Sequence, residues 1–425
     1  MLPVDVPRRL YLFSPLPPQR NGLADYLVEY LPFLAADFEL YLVAESGLRD
    51  AARLALGKLE GVQVIDESEF LARQPEPGAQ TLYNLGNNAD CTYELDYLHR
   101  FPGAVIVHDI SLFFLHQLAA QRARANSLLG SWLFEDGYQV PEDFLNRDGS
   151  LGRTPGELYQ ECLMLKRIAQ SARGLMVHTR YAEQRLRGAT EGVSVGPSGE
   201  VAFTRIPHFV LEVRPQAPES VAALLARFGV ESEDFLLLVP GFLTGNKMLY
   251  EVMAACHQVQ ADCPGLKLLF AGEERADEYP VSERVAQLWP ETANRPVVTG
   301  YLEAEELDAL LQRADLSFVL RYPTYGESSG ILPRAAMGGG RVLSVNIGAY
   351  PEFESPQVSH VPVGSAALPA LAQGIRDAYQ AWLADPPSER EERQLSEAAR
   401  LQALAPQALY PALHQWLEQS WGAPA

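Results

Sequence analysis

Four stretches of this chain carry side chains that could act on a ligand. The first is Arg321-Tyr322-Pro323-Thr324-Tyr325-Gly326-Glu327-Ser328-Ser329-Gly330, between the apolar run Leu316–Leu320 and a helical stretch, Ile331–Met337. A carboxylate there, Glu327, can grip hydroxyl groups. Backbone N–H groups at Ser328, Ser329 and Gly330 can face an anion. The second is Pro240-Gly241-Phe242-Leu243-Thr244-Gly245-Asn246-Lys247, which puts a cation, Lys247, after the run Phe235–Val239. It lacks the Gly-Lys-Ser/Thr ending of a P-loop. The third is His108-Asp109, at the end of Ala104–Val107, with His178 and His208 in comparable places. The fourth is Ser14 to Tyr26, a proline-rich connection with Gly22 where a helix opens; it is too irregular for G-x-G-x-x-G. Each also has a plain structural reading: a capped helix, a solvated lysine, a hydrogen-bonded histidine, a stiffened turn.

These stretches need a frame to bring them together. In the first half, apolar runs lie at Leu10–Phe13, Glu39–Val43, Val62–Ile65, Thr81–Leu85, Ala104–Val107 and Leu175–His178. In the second half they lie at Phe235–Val239, Leu266–Ala271, Pro296–Thr299, Leu316–Leu320 and Arg341–Val345. Short Val/Leu/Ile runs separated by helix-length stretches predict βαβ units and parallel sheets. The fold class expected is α/β, with two doubly wound, Rossmann-like domains facing a central cleft. The prolines between Leu211 and Glu219 place the break. The expected domains are 1–212, with a helical insertion at about 111–173, then 213–405. A terminal helix is expected in 406–425. The insertion is rich in apolar residues. It either packs on its own domain or offers a surface to an acceptor or a membrane.

Composition narrows the partners. The chain has 425 residues and a formal net charge of −20, which disfavours nucleic acid and polybasic attraction to anionic lipid. No long uncharged apolar stretch predicts a membrane span, and Met1 to Arg9 lacks the apolar run of a signal peptide. Cys91, Cys162, Cys256 and Cys263 form no Cys-x-x-Cys pair. They read as reduced thiols rather than a zinc site. The expected location is the cytoplasm, with at most peripheral contact at the inner face of the membrane; the oligomeric state stays open.

Taken in order, these signals resemble the family 4 glycosyltransferases of the GT-B fold over nearly the whole chain. Phe13 to Pro18 with Gly22 to Tyr26 is similar to that family's glycine-containing first loop. Leu85-Gly86-Asn87 and Gly103…His108-Asp109 are similar to its N-domain signatures. Gly241…Asn246-Lys247 matches its donor-phosphate loop, and Arg321–Gly330 resembles a bacterial subgroup. Ala271-Gly272-Glu273, Val298-Thr299-Gly300-Tyr301 and Ala314-Asp315 follow in the family's order.

The resemblance implies a retaining transfer of a hexose-type sugar from a nucleotide-sugar to a glycan, lipid-linked or other hydroxyl acceptor, in bacterial surface polysaccharide or glycoconjugate synthesis. It implies no metal and no cofactor beyond the donor, and a terminal helix that crosses back to the first domain. Lys247 and Arg321 would neutralise the departing diphosphate, Glu327 would hold the sugar, His108 would contact it, and Gly22 would lie near the phosphates. Two positions depart from the family pattern: Ala335 stands where a second carboxylate often grips the ribose, and Phe242 where an arginine often follows the loop glycine. A catalytically silent GT-B protein, acting as a partner or regulator, and a nucleotide-sugar epimerase are the alternative readings.

Overall fold

The computed structural model describes residues 8–73, 79–125, 127–138, 155–192, 196, 201–211, 213, 216–276, 279–290 and 294–422. The chain forms two compact units. The first comprises residues 1–208, 325–328 and 406–425, and the second comprises 209–324 and 329–405. The proline-containing stretch read as the break lies partly outside the described residues.

The first unit is built on seven strands: β1 (Arg8–Phe13), β2 (Phe38–Ala44), β3 (Val62–Asp66), β4 (Gln80–Leu85), β5 (Ala104–Val107), β6 (Gly174–Val177) and β7 (Ala202–Arg205). They pair in the order β3-β2-β1-β4-β5-β6-β7, and every pairing is parallel. The second has β8 (Phe235–Pro240), β9 (Leu266–Ala271), β10 (Val297–Val298), β11 (Leu316–Val319), β12 (Arg341–Val345) and β13 (Val358–Val361). Their order is β10-β9-β8-β11-β12-β13, again all parallel. Parallel sheets are covered on both faces, so their central strands are continuous apolar runs. Leu236, Leu237 and Leu238 in β8 and Val105 in β5 are wholly buried.

Two strands go beyond the sequence reading, β7 and β13. Both are sheet edges, and their residues Ala-Phe-Thr-Arg and Val-Ser-His-Val are mostly half-exposed. An edge strand with one open side needs no apolar run and leaves a weak signal. The strand ending in the reading at His178 stops at Val177, which leaves His178 at its C-terminal end.

The sheet orders fix where a ligand can sit. In the first unit the chain runs outward from β1 to β3, then returns to β4 on the other side of β1. In the second it runs from β8 to β10 and returns to β11 beside β8. Such a reversal leaves a crevice beyond the C-terminal strand ends, between loops that diverge. The loops after β1 and β4, and those after β8 and β11, occupy these two switch points.

In the region expected to be an insertion, helices Phe113–Arg122, Ser127–Glu135, Pro155–Glu161 and Lys166–Ser171 are described; residues 139–154 lie outside the described set. Phe113, Leu129, Leu133, Leu158 and Cys162 form a local core of the first unit. The helix Pro406–Trp421 belongs to the first unit as well. Its Trp416 indole donates to the Ala202 carbonyl at 2.9 Å. Among the described residues no helix is long and apolar enough to cross a membrane. All four cysteines are buried, and none forms a disulfide.

Candidate functional site

In the second unit the loops after β8 and β11 join at one residue, Asn246. Its carbonyl accepts the Tyr322 N–H at 2.7 Å, and its Oδ1 accepts Arg321 Nη1 at 2.9 Å and Thr244 Oγ1 at 2.8 Å. Lys247 ends the short turn Gly245–Lys247. Its Nζ donates back to the Pro240 carbonyl at the end of β8. Two loops that sequence places 75 residues apart thus set two cations at one switch point. Lys247 keeps part of its residue surface open while its ammonium is packed round by protein. Burial, and then the Arg321 charge, pull its pKa well below the ordinary lysine value. No carboxylate pairs with Lys247 among the described residues. Two cations gathered at one switch point suit a polyanion.

Two glycines let this corner close. Gly241 has φ +84°, a left-handed conformation that costs glycine little. A Cβ on Gly272, after β9, would stand 2.3 Å from the Gly241 carbonyl oxygen, so the β8 and β9 loops touch backbone to backbone. Phe242 follows Gly241, and the Arg275 guanidinium lies 4.8 Å from its ring centre. Arg275 was not singled out in the sequence; its place in the loop after β9, in Gly272-Glu273-Glu274-Arg275, was the available signal.

The Arg321–Gly330 stretch divides. Tyr325–Ser328 cluster with the first unit: the Ser111 N–H donates to the Tyr325 carbonyl at 3.0 Å. Gly326 has φ +78°, and a Cβ there would sit 2.0 Å from Ile110 Cγ2. Glu327 Oε2 accepts the Tyr325 N–H at 2.7 Å, so part of its carboxylate shapes its own turn. Ser328 Oγ is buried with no hydrogen-bond partner among the described residues. Ser329 Oγ accepts the Leu332 N–H at 3.2 Å and caps the seven-residue helix Ile331–Met337, which Gly330 opens. Ala335 is 1% exposed and packs in the second unit's core. Its Cβ therefore points into apolar packing, where a ribose-gripping carboxylate could not be placed.

In the first unit, the signatures around Gly86 and His108 are tied together. Asp109 Oδ2 accepts the Asn87 N–H at 2.6 Å, and Asn87 Oδ1 accepts the Leu115 N–H at 3.0 Å. Gly22 opens the helix Gly22–Asp37 behind its cap Asn21, whose side chain accepts the Leu23 N–H. A Cβ on Gly22 would meet nothing within 4 Å, so the loop is open there.

His108 is 8% exposed, and both of its ring nitrogens are engaged. Nε2 faces Asn84 Oδ1, and Nδ1 meets His178 Nε2 at 3.1 Å. His178 Nδ1 lies 2.9 Å from the Ile206 carbonyl and must donate to it. Tyr26 stands edge-on to His108 and His208, with centroids 4.6 and 4.9 Å apart.

The protons in this chain can be counted. Asn84 Nδ2 donates to Ser14 Oγ at 3.0 Å. With the amide in that orientation His108 Nε2 must donate to Oδ1, and the two histidines together hold one extra proton. Burial opposes that charge: it lowers the His108 pKa well below the usual value and, with His208 beside it, takes His178 down to about 3. Two neutral rings require the amide turned end for end, with its NH₂ toward His108. In either state His108 has no spare nitrogen, so any contact with a ligand must come through the ring's carbon edge.

Among the described residues, no three His, Cys, Asp or Glu side chains are grouped to hold a metal ion.

No family model matches the chain, and no curated protein matches it by sequence. Solved structures do match in fold. HepE from Anabaena, in complex with UDP and glucose, superposes with a TM-score of 0.63 at 13% identity, covering 97% of this chain and all of that one. Sucrose-phosphate synthase from Thermosynechococcus elongatus gives 0.62 at 16% identity, covering 98% and 100%. WaaG, a glycosyltransferase involved in lipopolysaccharide biosynthesis, gives 0.55 at 13% identity, covering 96% and 98%. The chain thus has the α/β architecture of the GT-B glycosyltransferases from end to end.

Proposed function

We propose that this chain is a glycosyltransferase that takes a sugar from a nucleotide-sugar donor, with a site like that of family 4. The observation that carries the reading is the Lys247–Asn246–Arg321 corner at the β8/β11 switch point, where two cations meet. It lies on a fold shared with a protein solved in complex with UDP and glucose.

In this reading the second unit holds the nucleotide diphosphate. Lys247 and Arg321 stabilise charge as it develops on the leaving phosphate, where fixed cations accelerate most. Glu327 accepts hydrogen bonds from sugar hydroxyls, and Ser328, Ser329 and Gly330 shape the loop around the donor. Ser328 Oγ, buried without a hydrogen-bond partner among the described residues, is available to donate to or accept from the nucleotide-sugar. Gly22 leaves room for the phosphates and acceptor at the first loop, and His108 packs its ring edge on the sugar. The bond from the anomeric carbon to the phosphate oxygen breaks with its electron pair staying on phosphate. The acceptor oxygen bonds to that carbon on the same face, and the acceptor's proton passes to the leaving phosphate oxygen. The configuration is retained with no protein nucleophile and no divalent metal, so turnover survives EDTA. The acceptor is a glycan or another hydroxyl compound of bacterial surface glycoconjugate synthesis, used at the cytoplasmic side.

Thermal shift against UDP-, GDP-, dTDP- and ADP-sugars, followed by turnover of the one that binds, tests the reading. A ligand that binds only the native state raises Tm. Glu327→Ala is expected to cut turnover about 10²-fold while the melting temperature with nucleoside diphosphate stays close to the parent's. Absence of a shift with every nucleotide would sink the reading; binding without turnover would favour the silent protein.

A further inference from the structure

The turn that carries Glu327 is held by residues of the first unit. The chain leaves the second unit after Thr324 and rejoins it at Ser329, and Tyr325–Ser328 cluster with the first. Three contacts fix Tyr325 there. Its carbonyl accepts the Ser111 N–H at 3.0 Å. Its ring meets the Tyr159 ring with centroids 5.1 Å apart and planes at 86°, an edge-to-face arrangement that aromatic pairs favour. Its N–H donates to Glu327 Oε2 at 2.7 Å. Between the two stands Gly326, so close to Ile110 that a Cβ would sit 2.0 Å from Cγ2.

The grips on the Tyr325 carbonyl and ring come from segments that are tied to each other. Ser111 and Leu112 lead into the helix Phe113–Arg122, and Tyr159 lies on the helix Pro155–Glu161. Just past that helix, the Leu163 carbonyl accepts the Leu112 N–H at 2.9 Å. The Tyr159 ring also stands 5.7 Å from that of Phe113 and 5.9 Å from that of Phe114. It packs on the local core that holds Phe113, Leu158 and Cys162. The Tyr325 N–H is therefore fixed in place by a packed block of helices. One oxygen of Glu327 is spent on that N–H, and a carboxylate is planar. Moving Tyr325 turns the whole group and the directions in which it accepts hydrogen bonds. A shift of about 1 Å in a group that orients a substrate can cost as much as 10²-fold.

We propose that Tyr159 is a positioning residue for the donor sugar, which fixes the Glu327 carboxylate through the Tyr325 ring. The inference rests on the proposed grip of Glu327 on the sugar, and it gives the helical region 111–173 a part in that grip.

The test uses the full chain, with UDP and UDP-glucose titrated by calorimetry. Tyr159→Leu removes one ring of the pair, Tyr325→Leu removes the other, and Tyr159→Phe keeps both. Each leucine variant is expected to weaken UDP-glucose roughly tenfold, the loss of a charged hydrogen bond, with UDP affinity kept. Tyr159→Phe should bind both ligands as the parent does. In a Glu327→Ala background, Tyr159→Leu should cost nothing further, because a residue that acts only through Glu327 has nothing left to position. A merely structural role would lower both ligands alike and add to the Glu327→Ala loss, and either result overturns the inference. So does UDP-glucose affinity unchanged in both leucine variants, or a loss in Tyr159→Phe as large as in Tyr159→Leu. A parent chain that binds neither ligand defeats the donor reading and this inference together. A parent that binds both, with UDP-glucose affinity sensitive to Glu327→Ala but not to Tyr159→Leu, defeats the positioning role alone.

Discussion

Lys247 shows how a single side chain can couple binding to protons. Burial of its ammonium, and then the Arg321 guanidinium beside it, hold its pKa well below the ordinary lysine value. A bound diphosphate supplies the missing negative charge and raises that pKa again. Binding therefore takes up protons, and affinity falls as pH rises through the free-site pKa. Calorimetry of UDP binding in two buffers of different ionisation enthalpy measures this directly. Lys247→Met is expected to abolish the buffer dependence and to weaken UDP by roughly 10- to 100-fold, the loss of one charged hydrogen bond of about 1.5–3 kcal/mol. Buffer-independent enthalpy in the parent chain would show that Lys247 is already charged.

At the scale of elements, the site depends on backbones that touch. The Gly272 and Gly241 loops leave no room for a side chain between β8 and β9. Gly272→Ala must push the β8 loop, and Lys247 with it, at a cost of about 1–3 kcal/mol in stability. It is expected to weaken UDP binding, although Gly272 contributes no side chain; Gly22→Ala, in open space, serves as the control. The helix Ile331–Met337 gives a second case. Ala335→Glu places a carboxylate at a residue packed in the core, and an unpaired buried charge costs roughly several kcal/mol. Chemical denaturation should show that loss, with no gain in discrimination between ribose and 2′-deoxyribose donors. A stable variant with improved ribose selectivity would mean that the helix can turn this position outward.

At the scale of the molecule, buried titratable groups set a stability window. His108 and His178 have folded pKa values below 6.5, His178 at about 3. In the unfolded chain they take up protons below about 6.5, so the stability they contribute is complete above that pH and is lost as pH falls toward 3. Glu94 acts in the opposite direction. It is 0% exposed, both carboxylate oxygens lack a hydrogen-bond partner among the described residues, and burial raises its pKa well above the usual range. Its contribution is complete below the unfolded value near 4.5 and is lost as pH rises through the folded value. Melting temperatures across pH 4–9 are expected to pass through a maximum. Glu94→Gln, which keeps the shape and removes the charge, should raise the alkaline limb and leave the acid limb in place; His178→Gln should flatten the acid limb. An alkaline limb unchanged in Glu94→Gln would exclude that carboxyl as its source.

The sequence by itself determined the frame. Apolar runs such as Phe235–Val239 and Leu266–Ala271 are strands because a parallel sheet buries both faces, and that burial is written into consecutive residues. Loops that follow such strands lie at the C-terminal ends of the sheet, and the sequence shows Lys247 and Arg321 in two such loops. The edge strands β7 and β13 were not legible, since half-exposed backbone pairing demands no particular side chains. Tertiary structure alone decided what each named residue can do. Asn246 joins two distant loops, Ala335 turns into the core, and Arg275 reaches the ring of Phe242. His108 spends both nitrogens on Asn84 and His178. Such facts depend on which side chains meet across 24 to 75 residues of chain. Local composition does not encode them, because a hydrogen bond is fixed by distance and direction between groups that only the packed sheets bring together.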